Sequence, residues 1–255
     1  MLFDTHMHCE ESCDSKMKAG EAVAQGAKLG IGICVTEHLD YDYPTNGEKF
    51  VFNLSRYRER MQPLRGAQVL FGIEIGMQPH LPERNRVAAL SQPFDYVLCS
   101  IHCVRGYDIF GPDYYRRRPK NEVVREYLAE MLVCVQNHQE IDALAHIDYI
   151  ARYWPYGEEL LLGDAPDLWD RVFKVLIERN IPLEINTRRL AAASTQKALA
   201  EIYSRYQELG GKYVTLGSDA HYIEHVGRDL KLAYDLAKNC HLQPVYFRER
   251  QLQKF

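Results

Sequence analysis

The chain has 255 residues, 46% of them hydrophobic and 26% charged, which excludes wholesale disorder and suffices for one large core or two small ones. A formal net charge of −4 gives no case for a general nucleic-acid binder, which needs a basic surface. Seven cysteines at this length do not make a disulfide scaffold, no apolar run approaches the ~20 residues that span a bilayer, and the start lacks the basic-then-apolar order of a signal peptide, so a cytoplasmic protein with reduced thiols is expected.

Residues 1–5 read as a short strand that ends in His6-Met7-His8. Side chains alternate on a strand, so His6 and His8 point the same way and can grip one metal ion. A helix is expected over 16–29, with Gly30 as its stop. Strand two, 31–36, ends in Glu37-His38. A polar, aromatic loop over 39–52 leads to a helix over 54–61, with Asn53 as N-cap and Pro63 as terminator. Strand three, 68–75, carries Glu74 at its end, and a helix over 83–91 follows. Strand four, 96–101, ends in His102. A loop over 106–120 carries Arg116-Arg117-Arg118, which reads as solvated, and precedes the longest helix, 121–138. Strand five, 143–145, ends in His146-Ile147-Asp148. Pro166 opens a helix to residue 179. Strand six, 183–185, ends in Asn186-Thr187-Arg188-Arg189. A helix over 195–209 stops at Gly210-Gly211. Strand seven, 213–216, ends in Gly217-Ser218-Asp219-Ala220-His221. A last helix covers 227–239, and an apolar patch at 245–247 reads as an extra strand.

Strict strand–helix alternation implies an α/β fold with a parallel sheet and crossovers of one hand. Seven units in about 240 residues favour a barrel over an open sheet, and no linker-like stretch divides the chain, so one domain over 1–255 is expected. Six of the ten histidines, with Glu74 and Asp219, stand at the ends of proposed strands. In a β/α barrel those ends converge on one mouth, so residues some 200 positions apart would meet in one cup. Scattered structural histidines have no reason to recur at the same point of five units. Imidazole and carboxylate together suit Zn, Fe or Mn.

The stretches Asp4-Thr5-His6-Met7-His8, Thr36-Glu37-His38, Gly72-Ile73-Glu74, Ser100-Ile101-His102, Ala145-His146-Ile147-Asp148 and Ser218-Asp219-Ala220-His221 resemble, in order, the successive motifs of the PHP (polymerase and histidinol phosphatase) family. Glu11-Ser12-Cys13-Asp14-Ser15, Glu37-His38-Leu39-Asp40-Tyr41 and Glu184-Ile185-Asn186-Thr187 are similar to its histidinol-phosphatase branch. The resemblance implies a distorted (β/α)7 barrel of TIM-barrel type and two to three divalent transition-metal ions. It implies hydrolysis of L-histidinol phosphate in histidine biosynthesis, or of another phosphorylated metabolite or nucleotide. By motif, His6, His8, Glu74 and Asp219 would hold one ion. Glu74 would bridge to a second, held also by His102 and His146. Asp14, with Glu11 and Ser12 close by, would hold a third together with His38 and His221.

The chemistry runs the same way. The oxygens of a phosphate monoester repel an incoming anion, and two ions ~3.5–4 Å apart can neutralise them and bring a water pKa towards ~7. A bridging carboxylate sets that spacing, and Glu74 suits the role. Arginine binds phosphate through a planar fork of donors, and Arg152, Arg188 and Arg189 follow strand ends where they could reach it. The expected partner is thus a small phosphorylated substrate, with no membrane and no nucleic acid. Cys9 and Cys13 read as bystanders to the first motif. Tyr41, Tyr43, Tyr107, Tyr114 and Tyr115 could wall a pocket or pack the loops. Two rivals are weaker. A two-metal amidohydrolase usually carries a bridging lysine where this chain has Glu74 and His102. A non-catalytic metal-binding module predicts a missing ligand, and all nine expected positions are filled.

Overall fold

The computed structural model describes residues 1–44 and 47–255. Thr45 and Asn46, within the expected loop 39–52, lie outside the described residues. The elements run β1 (Phe3–Asp4), α1 (Ala19–Leu29), β2 (Gly32–Leu39), α2 (Leu54–Met61), β3 (Val69–Gly76), α3 (Pro82–Leu90), β4 (Tyr96–Ser100), β5 (Cys103–Val104) and β6 (Tyr107–Asp108). They continue α4 (Lys120–Asn137), β7 (Ala143–Leu144), α5 (Pro166–Glu178), β8 (Leu183–Asn186), α6 (Ala193–Glu208), β9 (Tyr213–Gly217), α7 (Leu230–Asn239), β10 (Gln243–Arg248) and β11 (Gln251–Lys254).

The main sheet is ordered β1-β2-β3-β4-β7-β8-β9-β10-β11 and is parallel as far as β10. Backbone bonds from Thr5 N to Leu216 O (2.9 Å), His8 N to Ala220 O (2.8 Å) and Asp219 N to His6 O (2.8 Å) join the first strand to the seventh. These bonds close the seven parallel strands into the expected barrel, with helices outside.

Alternation sorts the strand residues. Ile33, Val35, Phe71, Ile73, Val97 and Cys99 face the large apolar cluster shared with the helices, where Leu128, Trp169 and Phe173 also lie. The opposite face of the same strands carries residues 34, 36 and 38 on β2 with 40 just beyond it, 70 to 76 in twos on β3, and 96 to 102 in twos from β4. Near the strand starts these are Cys34, Leu70, Tyr96 and Leu98, which form a second, smaller cluster with Ala143 and Ala145. Near the strand ends they are His38, Glu74 and His102.

The tail goes further than expected. The patch at 245–247 is the expected extra strand, β10, which pairs with β9, and β11 then returns antiparallel to make a hairpin. Val245 and Phe247 complete the smaller cluster, and Phe247 stacks on Tyr96 with ring centroids 5.5 Å apart. The last helix begins at Leu230 rather than 227, because Gly227 and Asp229 take left-handed backbone (φ 73° and 54°) that a helix cannot continue through. The first begins at Ala19 rather than 16: Ser15 donates its hydroxyl to His8 O and His221 O, holding that stretch as a strap across the barrel mouth. The loop 106–120 opens inside the β5–β6 hairpin, which starts directly after His102 and pairs Cys103 with Asp108. Among the described residues, no helix is long and apolar enough to cross a membrane.

Candidate metal centre

Glu74 is the hub. It is fully buried at the end of β3, and its two oxygens touch five imidazoles from four strands. Oε1 lies 2.8 Å from His146 Nε2, 3.4 Å from His6 Nε2 and 3.5 Å from His102 Nε2. Oε2 lies 2.7 Å from His38 Nδ1 and 3.5 Å from His8 Nε2. Asp219 Oδ1 adds contacts of 3.3 Å to His8 and 3.6 Å to His6. Asp14 Oδ2 stands at the rim, 3.4 Å from His221 and 3.7 Å from His38. All nine residues expected as ligands therefore meet in one cluster. Glu11 and Ser12 turn elsewhere, Glu11 to Arg60 at 3.0 Å and Ser12 to Glu37 and the His8 ring.

Donors shared by one tetrahedral ion at about 2.0–2.2 Å stand roughly 3.3–3.6 Å apart. The contacts among His6, His8, Glu74 and Asp219 fall at or near that spacing. Four triplets have ligating atoms within 4.8 Å of one another: His6-His8-Glu74, His6-His146-Asp219, His38-Glu74-His102 and His8-His38-His221. His102 Nε2 and Glu74 Oε2 are buried without a hydrogen-bond partner, as atoms reserved for a cation would be. The residues thus fit transition-metal ions. The triplets share members, so His38 stands as close to Glu74 and His102 as to the Asp14 side of the cluster.

Charge within the cluster is balanced locally. Burial alone would raise the Glu74 carboxyl, but His6, His102 and His38 hold it well below the usual range. Burial is likewise outweighed at Asp219, by Arg152 and His6. Burial and the neighbouring His38 and His221 push His8 well down, towards the neutral form that ligates. Asp219 has positive φ (54°), a conformation uncommon for a side chain of this kind, and such strain concentrates at working sites.

Further carboxylates, to which no role attached in the sequence, orient the ring ligands. His6 Nδ1 donates to Glu184 Oε1 at 2.8 Å. The other oxygen of Glu184 accepts from His146 N at 2.9 Å and from Asn186 Nδ2 at 3.0 Å. His102 Nδ1 donates to Asp40 Oδ1 at 2.8 Å. Each contact fixes which ring nitrogen is free to ligate. Glycine makes room: a Cβ on Gly217 would lie 2.2 Å from Glu184 Oε1, and one on Gly76 would lie 1.9 Å from Asp40 Oδ1. The sequence carried signals for both carboxylates. Asp40 follows His38 by two, and Glu184 is a charge inside a buried strand.

The three arginines part company. Arg152 is buried, pairs its Nη1 with Asp219 Oδ2, and leaves Nε and Nη2 buried without partners. Arg188 donates Nη1 to the Asp219 carbonyl at 3.4 Å. Both line a cleft of about 250 Å³ that opens on Asp14, His38, His102, Asp219 and His221. Arg189 does not: Asp148 at 3.0 Å and Glu159 occupy its fork outside the cleft. Tyr43 is a cleft wall, whereas Tyr114 and Tyr115 are buried loop packing. Arg118 pairs with Glu122 and Glu126, and Arg116 with Asp113. Cys9 is buried and Cys13 exposed, both as free thiols.

A family model described as the PHP domain matches residues 4–188. A probable histidinol-phosphatase of Clostridium acetobutylicum is 44% identical over 256 residues, covering 100% of both chains. A histidinol-phosphatase of Lactococcus lactis is 31% identical over 93% of this chain and 90% of its own. The crystal structure of histidinol phosphate phosphatase from Lactococcus lactis, complexed with zinc, L-histidinol and phosphate, superposes with a TM-score of 0.93 at 27% identity, covering 99% of each chain.

Proposed function

This chain belongs to the PHP family, and from that premise we propose that it is a metal-dependent phosphomonoesterase that hydrolyses L-histidinol phosphate to L-histidinol and phosphate. Full-length identity to a probable histidinol-phosphatase supports the substrate, as does close structural likeness to an enzyme complexed with histidinol and phosphate. The observation that carries the chemistry is Glu74, whose carboxylate lies within 3.5 Å of histidines from all three ligand groups named below.

Two to three ions of Zn, Fe or Mn are assigned to nine residues. His6, His8, Glu74 and Asp219 would hold one, Glu74, His102 and His146 a second, and Asp14, His38 and His221 a third. When bound, such ions neutralise phosphoryl oxygens and bring a water pKa to about 7, which supplies the nucleophile. The chain's own contribution is positional. Arg152 has two buried, unpartnered donors in one plane, a match for two oxygens of a phosphate. Its third group is fixed on Asp219, so the fork is set before substrate arrives and costs little to order. Arg188 flanks it on the cleft wall. Tyr149 underlies the Arg152 guanidinium at 5.0 Å and excludes water from that side. Its seven free cysteines suit a reducing compartment, in keeping with a cytoplasmic site of action.

The test is a kinetic screen of purified, metal-quantified protein against a panel of phosphate esters. Histidinol phosphate should give the highest kcat/KM, with about two to three ions per chain. Preference for a sugar phosphate or a nucleotide would move the substrate elsewhere in the family. A reproducible content near one ion would overturn the multinuclear assignment.

A further inference from the structure

The cleft that receives phosphate is not uniformly basic. Its phosphate side carries Arg152 and Arg188, while Asp108 stands in its wall. The other cleft carboxylates are engaged, Asp219 with Arg152 and Asp14 with His221 and His38. Among the described residues, Asp108 alone of the cleft carboxylates has no cation within 4.0 Å. Lys49, the other cation in the wall, rests its ammonium over Phe50 at 4.7 Å and Tyr43 at 5.8 Å instead.

Asp108 is held firmly. It pairs across the β5–β6 hairpin with Cys103, and Ile109 N donates to His102 O at 3.1 Å, so the hairpin is anchored on a residue of the metal centre. Its Oδ1 accepts from Phe110 N at 2.8 Å. Phe110 and Tyr153, 4.6 Å apart edge to face, continue the wall beyond it. A carboxylate fixed on a rigid hairpin, half-buried, uncompensated and facing a small cleft is a counter-ion site.

We infer that Asp108 is a specificity-determining residue: it pairs with a cationic amine on the leaving alcohol, so the site selects phosphomonoesters of amino alcohols over neutral or anionic esters. The inference rests on the proposed phosphatase activity and deepens it. The metal centre and arginines read the phosphate, which all such esters share. Asp108 reads the far end, and the aromatic edge beside it accepts a planar ring carried next to the amine. L-Histidinol has both groups.

The experiment compares wild type, Asp108→Asn and Asp108→Ala on three esters: histidinol phosphate, its analogue lacking the amine, and an aryl phosphate. The readout is the ratio of kcat/KM for histidinol phosphate to that for each other ester. Hydrogen bonds to charged groups predict that both variants lower this ratio by about 10- to 100-fold, mainly through KM, because the contact exists in ground and transition state alike. In the variants the amine should cease to matter, so histidinol phosphate and its des-amino analogue converge. Asp113→Asn, exposed on the same loop and outside the cleft, is the control and should leave the ratio at the wild-type value. An unchanged ratio in the Asp108 variants, or equal losses on all three esters, would overturn the inference. A wild type that prefers none of these esters would instead overturn the histidinol phosphate assignment.

Discussion

The two ends of the barrel are built from the same strands and have opposite chemistry. At the strand ends the inward positions are His38, Glu74 and His102, all buried and all polar. Two or three alternations earlier the same face carries Cys34, Leu70, Tyr96 and Leu98, closed from below by Val245 and Phe247 of the terminal hairpin. One strand therefore supplies packing at its start and candidate ligands at its end. The lower layer stabilises the molecule through apolar burial. The upper layer desolvates ionised groups, at a cost that a bound cation would offset. The division predicts that substitutions should separate cleanly into those that remove function and those that remove stability.

The largest separation is expected at Glu74. Glu74→Gln keeps the shape and removes the charge that the surrounding histidines share. Activity should fall by at least about 10⁴-fold, with loss of at least one ion on elemental analysis. Near-normal turnover would reduce Glu74 to an ordinary strand-end residue and dissolve the contrast between the two ends.

Phe247→Ala strikes the other end. Removing a buried aromatic ring costs about 3–5 kcal/mol of unfolding free energy. Denaturant unfolding should show that loss, while kcat, measured well below the melting temperature, stays near wild type. A variant that folds normally but loses activity would mean that the two layers are not independent.

Arg152→Ala comes next, at roughly 10²–10³-fold in kcat/KM by analogy with the loss of one donor to a developing charge, and with metal content unchanged. Arg152→Lys should restore part, since a point charge cannot reproduce a two-pronged contact. Arg189→Ala is the internal comparison: its partners Asp148 and Glu159 lie outside the cleft, so rates should change by less than about 3-fold. If Arg189→Ala proves the more damaging of the two, the assignment of the phosphate contact is reversed.

Within the centre itself the mildest effect on turnover is expected at Glu184, which touches His6 and His146 and does not line the cleft. Glu184→Gln should weaken metal affinity by about 10- to 100-fold in chelator competition, with little change in kcat once metal is saturating. Loss of kcat at saturating metal would place Glu184 in the reaction itself.

The upper layer was more legible in the sequence than its supports. A polar residue at a strand end follows from local alternation, so the clustering of His6, His8, His38, Glu74, His102, His146, Asp219 and His221 could be expected from spacing and motif. Residues that work through distant partners could not. Glu184 serves His6 across 178 positions, and no local pattern announces that pairing. The arginines illustrate the same limit: Arg188 and Arg189 are adjacent, yet one lines the cleft and the other is spent on Asp148 and Glu159. The β5–β6 hairpin lay hidden in a stretch rich in Gly, Pro and Arg that reads as loop, and β11 has exposed polar residues with no strand signature.

The seam between first and last barrel strands has a kinetic consequence. Its bond from the Thr5 hydroxyl to Leu216 O joins residues 211 positions apart, and Asp219 N reaches back to His6 O. Such contacts carry a large loop-closure entropy and form late. His6 and His8 are therefore synthesised first and must wait for Asp219 and His221 before the cup exists. During that interval the polar layer is open to water, and any ion bound by the early histidines is held by an incomplete set. His8, Asp219 and His221 face one another across the seam, so a cation held by them would act as a clasp, slowing reopening more than speeding closure.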